Sequence, residues 1–65
     1  MFRVQYLPAN RSWCATFGDS IIGVSVGGGV SQQLFSTRQA LVEALAYASL
    51  IVDAKGVIHD SEVSP

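Results

Sequence analysis

The segment that follows Ser36 constrains the fold more than any other part of the sequence. Ser36-Thr37-Arg38-Gln39 fits the S/T-x-x-E/Q capping box, in which a hydroxyl and an amide side chain satisfy free backbone N–H groups of a helix's first turn. The residues that follow are mostly alanine and leucine as far as Leu50, and both are strong helix formers. The sequence therefore predicts a helix that is capped by Ser36 and extends to Leu50.

The predicted helix carries two apolar stripes. The stripe suited to packing on a sheet consists of Leu41, Ala44, Leu45 and Ala48. The second stripe and the aromatic residue beside it are Val42, Ala46, Leu50 and Tyr47. Because a helix that is apolar nearly all round is normally buried on more than one side, we expect the second stripe to contact another copy of the chain. The alternative is that all these residues belong to an ordinary core, covered by the C-terminal segment.

The small size of the chain supports the expectation of self-association. A domain of 65 residues is close to the lower limit for independent folding and usually needs a disulfide, a metal or a partner. Cys14 is the only cysteine, so no disulfide forms within the chain. Cys14 and His59 are the only soft metal ligands, and a closed zinc site needs four ligands. We therefore predict a homo-oligomer, most simply a dimer, without a metal or cofactor.

The first half of the sequence has the pattern of antiparallel strands. Residues 2–7 and 12–17 alternate between apolar and polar side chains, and the turn between them contains Pro8 and Asn10, which suit a tight turn and a left-handed backbone respectively. A β-branched strand over residues 21–26 contains Gly23, which indicates a bulge or a close backbone approach. Residues 30–35 form a weaker candidate. We favour a four-stranded meander, with three strands as the alternative.

The sequence after the helix predicts a short hairpin or a single returning strand. Two apolar pairs, at residues 51–52 and 57–58, flank a turn that contains Asp53 and Gly56. Residues 60–65 are polar and acidic, and we expect them to be a disordered tail. The fold class that follows is α+β: one domain over residues 1–59, with an antiparallel three- to four-stranded meander, one helix packed on one face and a short C-terminal strand or hairpin.

No pattern in the sequence indicates catalysis. Cys14, His59 and Asp60 are the residue types of a nucleophile, base and orienting acid, but Cys14 lies within an apolar strand, where free cysteine behaves as a small hydrophobic residue. Gly27-Gly28-Gly29 lacks the Lys-Ser/Thr and the helix that follow the glycines of a phosphate-binding loop. We therefore predict that the protein is not an enzyme and that the three glycines form a hairpin tip.

Two phrases of the sequence resemble a family of DNA-binding domains. Arg11-Ser12-Trp13 in the strands, followed by Leu34-Phe35-Ser36-Thr37-Arg38-Gln39-Ala40 at the helix start, is similar to the three-stranded sheet and helix of AP2-type and phage-integrase amino-terminal domains. The resemblance implies that the sheet docks in the major groove, with contacts from Arg3, Arg11 and Trp13. The net charge of −1 and the pI near 5.5 disfavour this function, because sheets that read DNA need cations to hold the phosphates.

The function that the sequence favours is therefore a non-enzymatic protein-interaction module, of the kind found in small regulators or phage-encoded accessory proteins. We expect self-contact through the second helix stripe, and an unidentified protein partner at the hairpin that carries Arg3, Arg11 and Trp13. The apolar segment at residues 40–52 is interrupted by Glu43 and falls short of the roughly 18 residues that a spanning helix needs. With one cysteine and no signal peptide, we expect a cytoplasmic location, in a cell or an infected host cell.

Overall fold

A three-stranded antiparallel sheet forms the first part of the molecule in the computed structural model, which describes residues 1–60. Its strands are β1 (Phe2–Leu7), β2 (Ser12–Phe17) and β3 (Ser20–Ile22), in the order β1-β2-β3. Val4 lies opposite Ala15, and Ala15 lies opposite Ile22. These apolar residues share one face because side chains alternate along a strand, as the sequence pattern predicted.

The predicted third strand is interrupted at Gly23. Residues on either side belong to β3 and to β4 (Val24–Gly27), and β4 pairs with β5 (Val30–Gln32) in a separate hairpin. A side chain at position 23 would place its Cβ 3.2 Å from the Oγ of Ser31, so the backbones come close here, as one reading of Gly23 predicted. The favoured four-stranded meander is therefore wrong and the three-stranded alternative is correct.

The helix, α1 (Arg38–Tyr47), is shorter than predicted at both ends. Its N-cap is Thr37, whose Oγ1 accepts a hydrogen bond of 3.0 Å from the N–H of Ala40. The prediction that Ser36 is the cap was wrong by one residue. At the other end, Ser49 has φ 63°, a left-handed conformation that typically ends a helix.

A hairpin of β6 (Leu50–Val52) and β7 (Ile58–Asp60) follows the helix. The predicted C-terminal hairpin is thus confirmed, but Leu50 belongs to this hairpin and not to the helix. The hairpin is attached to the free edge of β1, where the N–H of Val4 donates a 2.7 Å hydrogen bond to the carbonyl of Gly56. Asp60, the first residue of the predicted tail, lies in β7, and the rest of that tail lies outside the described residues.

The core is built from residues of β1, β2, β4 and α1, together with Phe35. Phe35 is buried and pairs with Trp13 through two backbone hydrogen bonds of 2.7 and 2.8 Å. The core cluster consists of Val4, Ala15, Val24, Phe35, Leu41 and Leu45. The expected fold class, α+β with a meander, one helix and a C-terminal hairpin, is confirmed. Within residues 1–60, no helix is both long and apolar enough to cross a membrane.

Candidate interaction surface

The outward face of α1 is more polar than the sequence pattern suggested. The helix buries Leu41 and Leu45, and the side opposite them carries Gln39 and Glu43. The Nε2 of Gln39 donates to the Oε2 of Glu43 over 3.2 Å, and both residues are exposed. The interpretation of α1 as a helix that is apolar nearly all round was therefore wrong on this side, because the polar pair Gln39 and Glu43 faces solvent there.

The four residues predicted for self-association do not form one stripe. Val42 is half-buried, Ala46 is exposed, and Tyr47 exposes 75% of its surface. Leu50 is half-buried in β6, beyond the left-handed Ser49. The structure keeps Val42, Ala46 and Tyr47 in α1 and places Leu50 in β6.

A cleft lies between α1 and the β4–β5 hairpin, and Tyr47 is one of the residues that line it. The helix–hairpin cleft has a volume of about 360 Å³ and is lined by Val26, Gln32, Phe35, Ala40, Glu43, Ala44 and Tyr47. The helix contributes two alanines, one turn apart, whose short side chains leave space that larger residues would fill. The cleft therefore has an apolar floor with Gln32 and Glu43 as its polar residues.

Apolar side chains near this cleft remain open to solvent. In the β4–β5 hairpin, Val26 exposes 40% and Val30 exposes 59% of its surface. The hairpin reaches the helix at Gly27, where an added Cβ would lie 3.7 Å from the phenol oxygen of Tyr47. Gly27 has φ 101°, a conformation that glycine adopts without steric cost. Tyr47 thus touches the hairpin with one part of its ring and leaves the remainder uncovered.

A second, more apolar cleft was not foreseen from the sequence. It has a volume of about 390 Å³ and lies where the meander, the end of α1 and the C-terminal hairpin meet. Its lining is Phe2, Ile22, Gly23, Val24, Ser25, Leu45, Ala48, Leu50, Ile58 and Asp60. These residues are distant in sequence and have no common motif, so only the assembled fold reveals that they share a cavity.

The three residues predicted to contact a partner or DNA do not share a surface. Arg3 lies opposite Thr16, whereas Tyr6 lies opposite Trp13. Since positions 13 and 16 of one strand point to opposite faces, Arg3 and Trp13 are on opposite sides of the sheet. Arg11 is in the β1–β2 turn with φ 51°.

Trp13 has a structural role on the helix side of the sheet. It is half-buried, packs against the core cluster, and its ring centroid lies 5.2 Å from that of Tyr6. Such cross-strand aromatic pairs stabilise hairpins. The structure therefore favours the interpretation of Trp13 as a packing residue, with Tyr6 as the more exposed member of the pair.

Cys14 and His59, whose residue types would suit a nucleophile and a base, have different environments in the structure. Cys14 is fully buried, and its burial raises the pKa of the thiol, which disfavours the reactive thiolate. His59 instead contacts Asp53, with 2.9 Å between Nε2 and Oδ2, and both side chains are substantially exposed. In the described part of the chain, no three His, Cys, Asp or Glu residues are grouped to hold a metal ion.

Fold and surface together define a small α+β domain whose exposed apolar residues flank a cleft beside α1. The chain matches no protein-family model, no curated protein and no solved structure.

Proposed function

We propose that this protein is a small non-enzymatic interaction module that self-associates through the helix–hairpin surface, which we define as Val26, Ala40, Ala44 and Tyr47. The observation that carries the proposal is the exposure of Tyr47, 75%, beside the exposed Val26 of the adjoining hairpin in the same cleft. Apolar side chains grouped around a cleft typically mark an interaction site.

The residue types on this surface suit a protein interface. Tyrosine is enriched among the residues that contribute most to binding, because it buries a large area and has few rotatable bonds. A fully buried tyrosine removes about 150–250 Å² from water. Tyr47 is the most exposed large apolar residue among those described, so its burial is the largest single gain that association offers here.

The size of the chain is compatible with such an interface. A standard interface buries about 800 Å² on each partner, which is about one-sixth of the chain's accessible area of 4565 Å². Association also adds the stabilisation that a core of this size supplies only in small measure.

The test is the solution mass of the wild type and of two matched alanine variants. We expect the wild type to be a dimer at micromolar concentration by sedimentation or light scattering. Ala40→Glu places a charge in the helix–hairpin cleft and should give a monomer. Ala9→Glu makes the same change at an exposed alanine in the β1–β2 turn and should leave the dimer intact. A wild type that is monomeric at these concentrations contradicts the proposal.

The alternative of DNA binding receives less support from the structure. A sheet reads DNA with one face, and Arg3 and Trp13 lie on opposite faces. With only four Lys and Arg residues against five Asp and Glu, the chain supplies few cations for phosphate contacts. The self-association proposal does not depend on a further protein partner at the β1–β2 hairpin, which stays a prediction.

A further inference from the structure

We propose that the C-terminal hairpin of β6 and β7 is a flap that opens as a unit from the edge of β1 while the rest of the fold stays closed. Opening uncovers the N–H of Val4 and one wall of the apolar cleft where the meander, α1 and the hairpin meet. This motion takes place within one copy of the chain and does not depend on the proposed self-association.

The flap is attached to the sheet at two neighbouring positions of β1. The N–H of Val4 donates a 2.7 Å hydrogen bond to the carbonyl of Gly56, and Arg3 forms an isolated antiparallel bridge with Val57. On its other side, β1 is paired with β2 at six positions. Because segments with few contacts open at a lower free energy than the whole molecule unfolds, we expect β1 to lose its flap before it loses β2.

The flap also contributes little to the buried core. No residue in the range 50–60 is buried, and the core cluster lies entirely outside that range. Leu50, Val52 and Ile58 pack against the cluster with side chains that are only half-buried. The core can therefore stay packed when the flap moves away.

Hydrogen bonds within the flap hold its turn and its strands together. The N–H of Asp53 donates to the carbonyl of Val57, and the N–H of Gly56 donates to the carbonyl of Asp53, both over 3.0 Å. The Asp53 carboxylate also accepts from the N–H groups of Lys55 and Val57. None of these bonds involves β1, so they persist in the open flap, which moves as one body.

The connection between α1 and the flap provides a pivot. One residue, Ser49, lies between the helix C-cap Ala48 and the start of β6, and its φ is 63°. This left-handed conformation is unfavourable for a residue that has a Cβ. A rotation at Ser49 that turns the flap away from the sheet relieves this strain, as hinge residues at the ends of elements do.

The apolar cleft depends on the position of the flap. Leu50 and Ile58 of the flap line it together with Phe2 and Ile22 of the meander, around a volume of about 390 Å³. Outward movement of the flap widens this cleft and exposes its apolar lining. The flap therefore controls access both to the cleft and to the edge of β1.

Amide hydrogen exchange, followed by NMR on the full chain, tests this motion. The N–H of Val4 reports on the attachment of the flap, that of Asp53 on the bonds within the flap, and that of Phe35, which donates to the carbonyl of Trp13, on the core. We expect the protection factor of Val4 to be about tenfold or more below those of Asp53 and Phe35. Equal protection of Val4 and Phe35 means that the flap opens only on global unfolding, and equal protection of Val4 and Asp53 means that it melts instead of moving as a unit; either result overturns the proposal.

Two glycine variants perturb the attachment and control for backbone strain. Gly56 has φ 83°, and an added Cβ would lie 3.2 Å from the carbonyl oxygen of Val4, whereas Gly18 has φ 62° and open space around it. Both Gly→Ala changes impose the cost of a left-handed alanine, but only Gly56→Ala crowds the attachment. Gly56→Ala should lower the protection factor of Val4 about tenfold relative to that of Phe35, and Gly18→Ala should leave this ratio unchanged.

Binding of anilinonaphthalene sulfonate, a dye that fluoresces on exposed apolar surface, measures access to the cleft. Gly56→Ala should bind more dye than the wild type and Gly18→Ala. Dye binding by Gly56→Ala that equals that of the wild type, with the Val4 amide less protected, would contradict control of the cleft by the flap. Exchange in the wild type decides whether the flap opens even if Gly56→Ala does not fold.

Discussion

Asp53 holds the C-terminal hairpin together through three hydrogen bonds from one side chain. Its Oδ1 accepts from the N–H groups of Lys55 and Val57 at 2.8 and 3.0 Å, and its Oδ2 lies 2.9 Å from the Nε2 of His59. The bond with His59, followed by that from Val57, lowers the pKa of Asp53 from 3.8 to about 2. The folded state thus favours the ionised carboxylate more than the unfolded state does.

This pKa shift predicts a pH dependence for the Asp53→Asn variant. A lowered pKa in the folded state contributes stability that is fully present above pH 3.8 and is lost as the pH falls towards about 2. We expect the wild type to be more stable than Asp53→Asn at pH 7 and the difference to shrink across that interval. Chemical unfolding at pH values from 7 to 2 measures it.

The matched control is Asp19→Asn, which changes an exposed aspartate in the β2–β3 turn. Its effect on the free energy of unfolding should be smaller at pH 7. A stability difference between wild type and Asp53→Asn that stays constant from pH 7 to 2 would contradict the assignment of the hairpin charge network.

In the β1–β2 turn, the residue types alone do not determine which residue adopts the left-handed backbone conformation. Asn10 is the residue whose chemistry suits a left-handed backbone, yet Arg11 adopts it, with φ 51°. Hydrogen bonds from the N–H groups of Asn10 and Arg11 to the carbonyls of Leu7 and Pro8 fix this geometry. The sequence predicted a turn here correctly, but the pairing register of the two strands decides which residue takes the strained conformation.

At the scale of elements, the boundaries of α1 depend on capping. The sequence offers two consecutive hydroxyl residues at the helix start, and only Thr37 bonds to a first-turn N–H. Gln39, expected to complete a capping box, bonds to Glu43 instead. The sequence pattern located this helix correctly and missed its cap by one residue, because Ser36 and Thr37 both carry a hydroxyl that can cap a helix.

The cap assignment gives a direct comparison of two neighbouring alanine variants. Thr37→Ala removes the acceptor for the Ala40 N–H and should lower the free energy of unfolding by about 1 kcal/mol, the usual value of an N-cap. Ser36→Ala removes a similar hydroxyl one residue earlier and should cost clearly less. Urea unfolding of both variants measures the two values, and a reversed order would show that Ser36 is the cap.

The end of α1 explains why Leu50 does not lie on the helix stripe in which the sequence pattern placed it. Alanine and leucine continue to Leu50, so helix propensity predicts no break before it. The break arises at Ser49, and Leu50 then enters β6, where it packs against the core cluster. Propensity describes a residue's local preference, whereas the pairing of β6 with β7 is a long-range contact that a single-sequence pattern does not encode.

At the scale of the whole molecule, Phe35 connects the small sheets. It lies between β5 and α1, forms two backbone hydrogen bonds to β2 and is 4% exposed. Its side chain belongs to the same core cluster as residues from the meander, the β4–β5 hairpin and the helix. Loss of this side chain would therefore leave a cavity at the junction of several elements.

Phe35→Ala should accordingly be the most damaging of the substitutions considered. Truncation of a buried phenylalanine costs about 3–5 kcal/mol, and a domain of this length has roughly 3–10 kcal/mol of stability in total. Phe17→Ala, at a residue that is 51% exposed and in a tilted ring contact with Phe2, is the control and should cost less. Equal effects of the two variants in urea unfolding would contradict the central position of Phe35.

The fold class could be predicted from the sequence, whereas the clefts could not. Alternation in β1 and β2 and the alanine-leucine run of α1 are local signals, and they gave the right elements. Each cleft is lined by residues from elements far apart in the chain, such as Phe2 with Ile58. Tyr47 was singled out for its residue type and position, but its place beside the β4–β5 hairpin depends on how the hairpin folds back on the helix.

The bond between Val4 and Gly56 has a consequence for how the chain reaches its native state. β1 is synthesised before residues 56 and 57, which supply its second neighbour. That edge of the strand can therefore be occupied only after those residues have been made and have folded back on β1. Since contacts of such wide sequence separation form slowly, the nascent chain leaves one edge of β1 open until then.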